Sequence, residues 1–295
     1  MDEKHKKVFI RVLLVFWFGL FIFLFFKKLP DNNLHLIFCD VGQGDAVVAR
    51  YKNNQVLIDG GPLSEAGKLL KCLDGQMAFW DRTLEAVVNT HPDEDHFGGL
   101  TEILKRYKVK MLLVNGEDNP DSPLFADFEK LISEQKVYSK IASAGVALKV
   151  GRLYFDILSP ESEGENSQNL LQNKVSGNDN NKNSLVTHLQ FGDFDALLTG
   201  DLPAEEEQVL VWRKILFPVE VLKLAHHGSK ASTSDEILAA TKPQLAIISV
   251  GKENRFGHPG KEVLEKLNLN GIKFLRTDEA GDVEIVSDGK GWRIK

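Results

Sequence analysis

The sequence predicts an α/β fold behind a single N-terminal transmembrane helix, and three observations predict it. Residues 8–26 are apolar apart from Arg11; two later series of short β-prone runs are separated by Gly and Asn turns; helical stretches interleave with both series. With 295 residues, 43% of them hydrophobic, the chain is long enough to bury a sizeable core.

The apolar segment comes first. Its length can span a bilayer, and Lys4, Lys6 and Lys7 precede it while Lys27 and Lys28 follow. A cleavable signal would end in small residues, whereas this one runs into Phe25-Phe26-Lys27-Lys28, so it reads as an uncleaved anchor. Lys4, Lys6, Lys7 and Arg11 outnumber the basic residues on the far side, which places the N-terminus in the cytoplasm and the globular part outside. A cell-membrane protein with one span follows, with an anchor and linker over 1–33 and a globular domain over 34–295. The competing reading is a hydrophobic helix packed on that domain.

Beyond the linker, residues 35–40, 46–51 and 55–58 read as strands of a meander, 84–88 as an apolar strand, 98–107 as a helix and 111–114 as a strand. A second series has strands over 147–150, 153–158, 184–190 and 194–198, a helix over 203–211 and a strand over 221–225. Then follow a helix over 234–240, a strand over 245–250, a helix over 261–267, and closing strands over 274–277 and 283–287. Residues 161–183, rich in Asn, Ser, Gly and Gln, read as a mobile loop near the mouth of a site or as a neutral insertion. A net charge of −6 lacks the basic footprint of a protein that grips long duplex DNA, so any nucleic-acid contact must be local. Cys39 and Cys72 show no metal-ligand spacing and read as small buried residues rather than a disulfide.

One stretch concentrates chemistry. Asn89-Thr90-His91-Pro92-Asp93-Glu94-Asp95-His96-Phe97-Gly98-Gly99 brackets three carboxylates with two imidazoles directly after an apolar strand. A solvated acidic loop has no need of flanking histidines, whereas a metal cluster needs N and O donors converging from one rigid turn. The pattern resembles the His-x-His-x-Asp-His signature of the metallo-β-lactamase superfamily, with Asp93 where a histidine usually stands. Asp40-Val-Gly-Gln-Gly-Asp45, Leu57-Ile-Asp-Gly-Gly61, Leu198-Thr-Gly-Asp201, Ala225-His-His-Gly-Ser229 and Asn254-Arg-Phe-Gly-His-Pro259 follow in the order of one branch. Together they look like the C-terminal hydrolase domain of the ComEC family of DNA-uptake channels and its stand-alone relatives. The many membrane spans of full ComEC are absent from this sequence.

The resemblance implies a four-layer αβ/βα sandwich and two divalent ions, Zn²⁺ or Mn²⁺, held by His91, Asp93, Asp95, His96, Asp201 and a late histidine. Asp201 would bridge the ions, although an N-cap is its ordinary alternative. His258 is favoured as the last ligand with His226 as rival, leaving His226 and His227, beside Asp95, for catalytic work on a phosphate oxygen or the leaving group. Asn183-Ser184 stands where the superfamily's third histidine belongs, and His188 lies too far along to replace it; an oxygen-rich first site makes Mn²⁺ plausible beside Zn²⁺. Asp40, Asp45 and Asp59 would orient the ligands, and Ser229, Lys230 and Arg255 would meet substrate. The expected activity is hydrolysis of phosphodiesters, single-stranded DNA first, with a separate uptake channel as a candidate partner. The alternatives are an envelope phosphoesterase similar to phosphorylcholine esterase and a non-catalytic module that binds DNA or a partner.

Overall fold

The computed structural model describes residues 3–27, 30–78, 80–161 and 180–295. In chain order they form α1 (Glu3–Lys27), β1 (Leu34–Phe38), β2 (Val47–Tyr51), β3 (Asn54–Ile58), α2 (Ala66–Gln76), β4 (Thr83–Leu84), β5 (Ala86–Asn89), α3 (Glu94–Phe97), α4 (Leu100–Arg106), β6 (Lys108–Val109), β7 (Met111–Val114) and α5 (Pro123–Glu134). There follow β8 (Tyr138–Ile141), β9 (Ala147–Val150), β10 (Leu153–Ser159), β11 (Val186–Phe191), β12 (Phe194–Leu198), α6 (Ala204–Trp212), β13 (Val221–Lys223), α7 (Asp235–Thr241), β14 (Leu245–Ile248), α8 (Lys261–Leu269), β15 (Lys273–Arg276), α9 (Thr277–Ala280), β16 (Val283–Ser287) and β17 (Trp292–Ile294).

Two sheets carry the domain, ordered β17-β16-β1-β2-β3-β5-β7-β8 and β15-β14-β13-β12-β11-β10-β9. Period-two alternation explains how they stack. In β3, Val56 and Ile58 face the core shared by the sheets, and Leu57 faces a second core with α2, α4 and α5; in β14, Leu245 and Ile247 join the shared core, and Ala246 and Ile248 a third beneath α6, α7 and α8. Helix, sheet, sheet and helix therefore form the expected four layers.

Each sheet starts as an antiparallel meander and turns parallel, at β3/β5 in the first and at β12/β13 in the second. Loops leaving the carboxyl ends of parallel strands at such a switch are where α/β folds place ligands. All the candidate motifs lie on such loops or on their neighbours.

Three expectations change. Residues 8–26 do lie in a helix, α1, whose described side chains from Phe9 to Phe18 are largely exposed. Side chains beyond Leu20 in that helix lie outside the description, and among the described residues no helix is long and apolar enough to cross a membrane; the structure thus does not support the expected span. Cys39 and Cys72 are joined by a disulfide rather than being two separate small residues. It ties the end of β1 to α2 inside the second core, and a lone pair 33 positions apart carries no spacing that would have revealed it. The expected helix over 98–107 is the shorter α4, preceded by a separate turn, α3, with Gly98 and Gly99 between them packed against the chain at Pro62-Leu63 and at Gly60. The loop expected over 161–183 falls mostly outside the described residues; its end, Asn180–Asn183, is a short 3-10 turn.

Candidate metal centre

The site forms where loops after β1, β3, β5, β12, β13 and β14 meet. After β5, His91 and His96 turn inward and are fully buried. Their outer ring nitrogens are tied to the protein. His96 Nδ1 lies 2.9 Å from Asp59 Oδ2, and His91 Nδ1 lies 3.0 Å from Thr90 Oγ1. Asp59 in turn accepts from Thr90 N and Thr90 Oγ1, both at 2.7 Å. Such outer contacts fix the rings so that each Nε2 points into the site, as metal-ligating imidazoles require.

After β13 the chain turns in an unusual way. His226 and His227 have φ of 51° and 55°, and Gly228 continues at 76°. Consecutive left-handed non-glycine residues are strained and persist where the surroundings enforce them, which is common at functional sites. Here a Cβ at Gly228 would meet the Pro259 side chain at 2.8 Å, so the turn packs tightly on the loop after β14. The result is that His227 Nδ1 donates to Ser249 O at 2.9 Å and Nε2 faces Asp95 Oδ2 at 3.3 Å. On the opposite wall, a Cβ at Gly44 would strike Asp95 O, which explains the glycine of the Asp40–Asp45 turn; Asp45 N donates to that same carbonyl.

Four overlapping donor groups result, each with atoms within 4.8 Å of one another: His91, His96 and Asp201; Asp95, His96 and His227; Asp45, Asp201 and His227; Asp45, Asp59 and His96. His91 Nε2, His96 Nε2 and Asp201 Oδ1 are buried without a hydrogen-bond partner in the protein. Buried polar atoms are normally paired, so inward-facing orphans of this kind, on imidazole and carboxylate, fit divalent ions of the Zn²⁺ or Mn²⁺ type.

The electrostatics agree. Burial and the neighbouring His96 push His91 down to about 4, so its imidazole is neutral at pH 7. Burial also opposes charge on His227, yet Asp201, Asp45 and Asp95 outweigh it and lift the group to about 10. His96 is likewise held well above its usual value, against burial, by Asp201 and Asp59. Asp201, in spite of burial, is held well below the usual carboxylate range by His227 and His96. A cation entering this cluster displaces the protons of His96 and His227, so its binding tightens as pH rises through neutrality.

The structure gathers His91, Asp95, His96 and Asp201 with His227 at the centre. Asp93 and His258, expected as ligands, belong to none of the donor groups. Asp93 Oδ2 lies 3.7 Å from His91 Nε2, and Oδ1 accepts from Asn180 at 2.7 Å. His258 stands at the rim with its Nδ1 unpaired, its ring 5.5 Å from that of His226; His226 Nε2 in turn lies 3.8 Å from Asp201 Oδ2. At the missing third histidine, Ser184 Oγ accepts from Asp201 N and lies 3.5 Å from His91 Nδ1, whereas Asn183 turns to Glu117. His188 pairs with Asp195 at 2.8 Å and takes no part. Asp40 Oδ1 only caps its own turn through Gly42 N, and Ser229 Oγ accepts from Ala231 N. Lys230 and Arg255 are exposed.

One cation that the sequence offers only as part of a local cluster with Lys230 and Arg255, able to offset the net negative charge toward a polyanion, lies instead at the centre. Lys223, 1% exposed at the end of β13, donates to Gly200 O at 2.9 Å, contacts the Asp45 carboxylate and lies 3.8 Å from Asp201 Oδ1. A lysine within the apolar run 221–225 was the available signal, since Lys is seldom buried unless paired.

Comparison with known proteins fits this arrangement. The family model of the metallo-beta-lactamase superfamily matches residues 39–252. ComE operon protein 3 of Bacillus subtilis (strain 168) is 33% identical over 267 residues, covering 83% of this chain and 32% of that protein. Recombination protein 2 of Haemophilus influenzae is 31% identical over 268 residues, covering 90% and 30%. The chain thus spans about a third of the length of these curated relatives. Among solved structures, the metallo-beta-lactamase fold protein YhfI of Bacillus subtilis aligns with a TM-score of 0.55 at 13% identity, over 85% of this chain and 99% of that one. Zn(2+)-bound PqqB of Methylobacterium extorquens aligns at 0.51 and 12%, over 79% and 85%. At such identities the likeness is one of fold.

Proposed function

We propose, for a chain that belongs to the metallo-β-lactamase superfamily, a membrane-anchored metal-dependent hydrolase that cleaves phosphodiesters, single-stranded DNA first, on the outer side of the membrane. The observation that carries the reaction class is the set of buried, inward-facing atoms on His91, His96 and Asp201 that make no hydrogen bond within the protein. Asp95 and His227 complete the residues that would hold two divalent ions. When bound, such ions polarise a phosphoryl oxygen and lower the pKa of water.

The protein's own part is orientation and proton handling. Asp59 and Thr90 hold the His96 ring, and Ser249 O fixes His227 in the tautomer that leaves Nε2 free. His226, 33% exposed in its side chain, and His258 lie side by side next to the donor cluster; a proton carried on His226 Nε2 could pass to a departing oxygen there. Several histidines at the rim suit a phosphate, with non-bridging oxygens to bind, better than a β-lactam.

The location rests on other features. Disulfides persist in oxidising compartments, which favours the outside for Cys39–Cys72. Helix α1, 25 residues long, would measure about 38 Å at 1.5 Å per residue, longer than a hydrocarbon core of about 30 Å, although its described residues fall short of the apolarity of a spanning helix. Protease added to intact spheroplasts should digest the domain after residue 33; full protection would place it in the cytoplasm.

The activity is tested on the purified full chain in detergent, loaded with Zn²⁺ or Mn²⁺. Hydrolysis of a single-stranded oligonucleotide or of bis-p-nitrophenyl phosphate is expected to outpace that of nitrocefin and of a glutathione thioester. Turnover of the latter pair with both diesters untouched would show the assignment to be wrong.

A further inference from the structure

The loop after β14 presents an exposed aromatic ring beside the metal centre, and the centre itself does not need it. Phe256 is 56% exposed. Its ring stacks on His258 with centroids 5.7 Å apart and planes 24° from parallel. His258 in turn lies 5.5 Å from His226, whose Nε2 reaches toward Asp201. Two ring-to-ring steps therefore lead from Phe256 to the rim of the donor cluster.

The loop that carries this ring is tied down. Asn254 Oδ1 accepts from His258 N at 2.9 Å, and its Nδ2 donates at 2.8 Å to both Gly251 O and His258 O. Gly251 N donates to Gln43 Oε1, and Gly260 N to Gly228 O at 2.9 Å. A ring more than half exposed on a braced loop is held ready to meet a ligand beside the donor cluster. Cations accompany it: the Arg255 guanidinium lies 5.1 Å from the Phe256 centroid, and Lys252 and Lys230 are exposed nearby in the chain and across Gly260.

We propose that Phe256 and Arg255 form a stacking platform for a nucleobase, with Phe256 taking the base of a nucleotide next to the scissile phosphate and Arg255 pairing with a flanking phosphate. Aromatic rings beside cations are how proteins hold single strands without reading sequence, because every base has a π-face. A cationic headgroup such as choline would also seek an aromatic ring, but the guanidinium already beside Phe256 repels it. The platform deepens the phosphodiesterase reading and rests on it. It further implies that base-bearing substrates are preferred to backbone alone.

Binding separates the two ideas. The full chain in detergent, loaded with Mn²⁺, is titrated with a phosphorothioate-linked oligothymidylate that resists hydrolysis, and with an abasic strand of the same length and linkage. Phe256→Ala is expected to weaken oligothymidylate binding about tenfold and to abolish the preference for base over abasic strand. In a Phe256→Trp chain, fluorescence beyond that of the native tryptophans should be quenched by oligothymidylate and not by the abasic strand or by phosphocholine. If wild type binds oligothymidylate and Phe256→Ala binds it equally well, or loses equally on both strands, the platform is refuted and the phosphodiesterase reading stands. If phosphocholine quenches the new tryptophan while oligothymidylate does not, the platform holds a different ligand class and the proposal fails. If wild type binds neither strand, the substrate reading fails with it.

Discussion

Asp201→Asn is expected to lower kcat/KM on a phosphodiester by a factor on the order of 10³, about 4 kcal/mol of transition-state stabilisation, with the fold retained. Asp201 sits in two of the four donor groups and reaches His96, His227 and His226 through one oxygen, Oδ2, at 3.3, 3.5 and 3.8 Å. Asparagine keeps the shape and removes the charge that Asp201 would supply to bound ions. Circular dichroism of the variant should match wild type while steady-state rates collapse. A loss of less than tenfold would remove Asp201 from the reaction. The same substitution at Asp45 is a useful contrast, because Asp45 faces Lys223 and has the weaker claim on an ion.

Lys223→Met is expected to destabilise the metal-free chain by about 3–5 kcal/mol, as when one partner of a buried pair is removed. Asp45 is 2% exposed. Burial alone would raise its pKa, but Lys223, His227 and His96 reverse that and hold it well below the usual carboxylate range. A group with a depressed folded pKa contributes stability that is present above its unfolded value, about 3.9, and is lost as pH falls. The deficit of Lys223→Met should therefore be full at pH 7 and shrink below pH 4, where wild type loses the pair as well. Urea unfolding in the presence of chelator reads it out. The double variant Lys223→Met/Asp45→Asn should recover most of the loss, since no unpaired buried charge remains. A single-variant effect below about 0.5 kcal/mol, the range of ordinary surface changes, would contradict this role.

Much of the fold is visible in the sequence because alternation is a strong signal. Strands expected over 147–150, 194–198 and 283–287 match β9, β12 and β16. Among the described residues, four helices lie outside the expected ones, α2, α5 and the four-residue turns α3 and α9. Helix α2 carries Gly67 and Gly75, which weaken the helical pattern; α5 begins at Ser122-Pro123, a cap and first-turn proline that a closer reading of its apolar period would have found. Edge strand β8 alternates exposed with half-buried residues, so it has no apolar face to announce it.

At the site, the density of imidazoles and carboxylates made the metal loop legible by itself, whereas Asp201 was legible only through the resemblance to the superfamily. The order of His226, His227 and His258 along the chain could not say which of them points inward. That is decided by the left-handed backbone at His226 and His227 and by Ser249 O, a carbonyl from another strand end. Lys223 and the Asp59–Thr90 contacts to His96 are likewise tertiary facts, made by strands that pair only in the folded sheets.

The central claim is that these converging side chains form a two-ion centre. Elemental analysis of the purified full chain tests it most directly, after reconstitution with Zn²⁺ and with Mn²⁺ at pH 8, where protons compete less for His96 and His227 than at neutral pH. Up to two tightly held ions per chain are expected, falling by at least one in Asp201→Asn. Fewer than one ion per chain with either metal, or equal content in wild type and variant, would contradict the account.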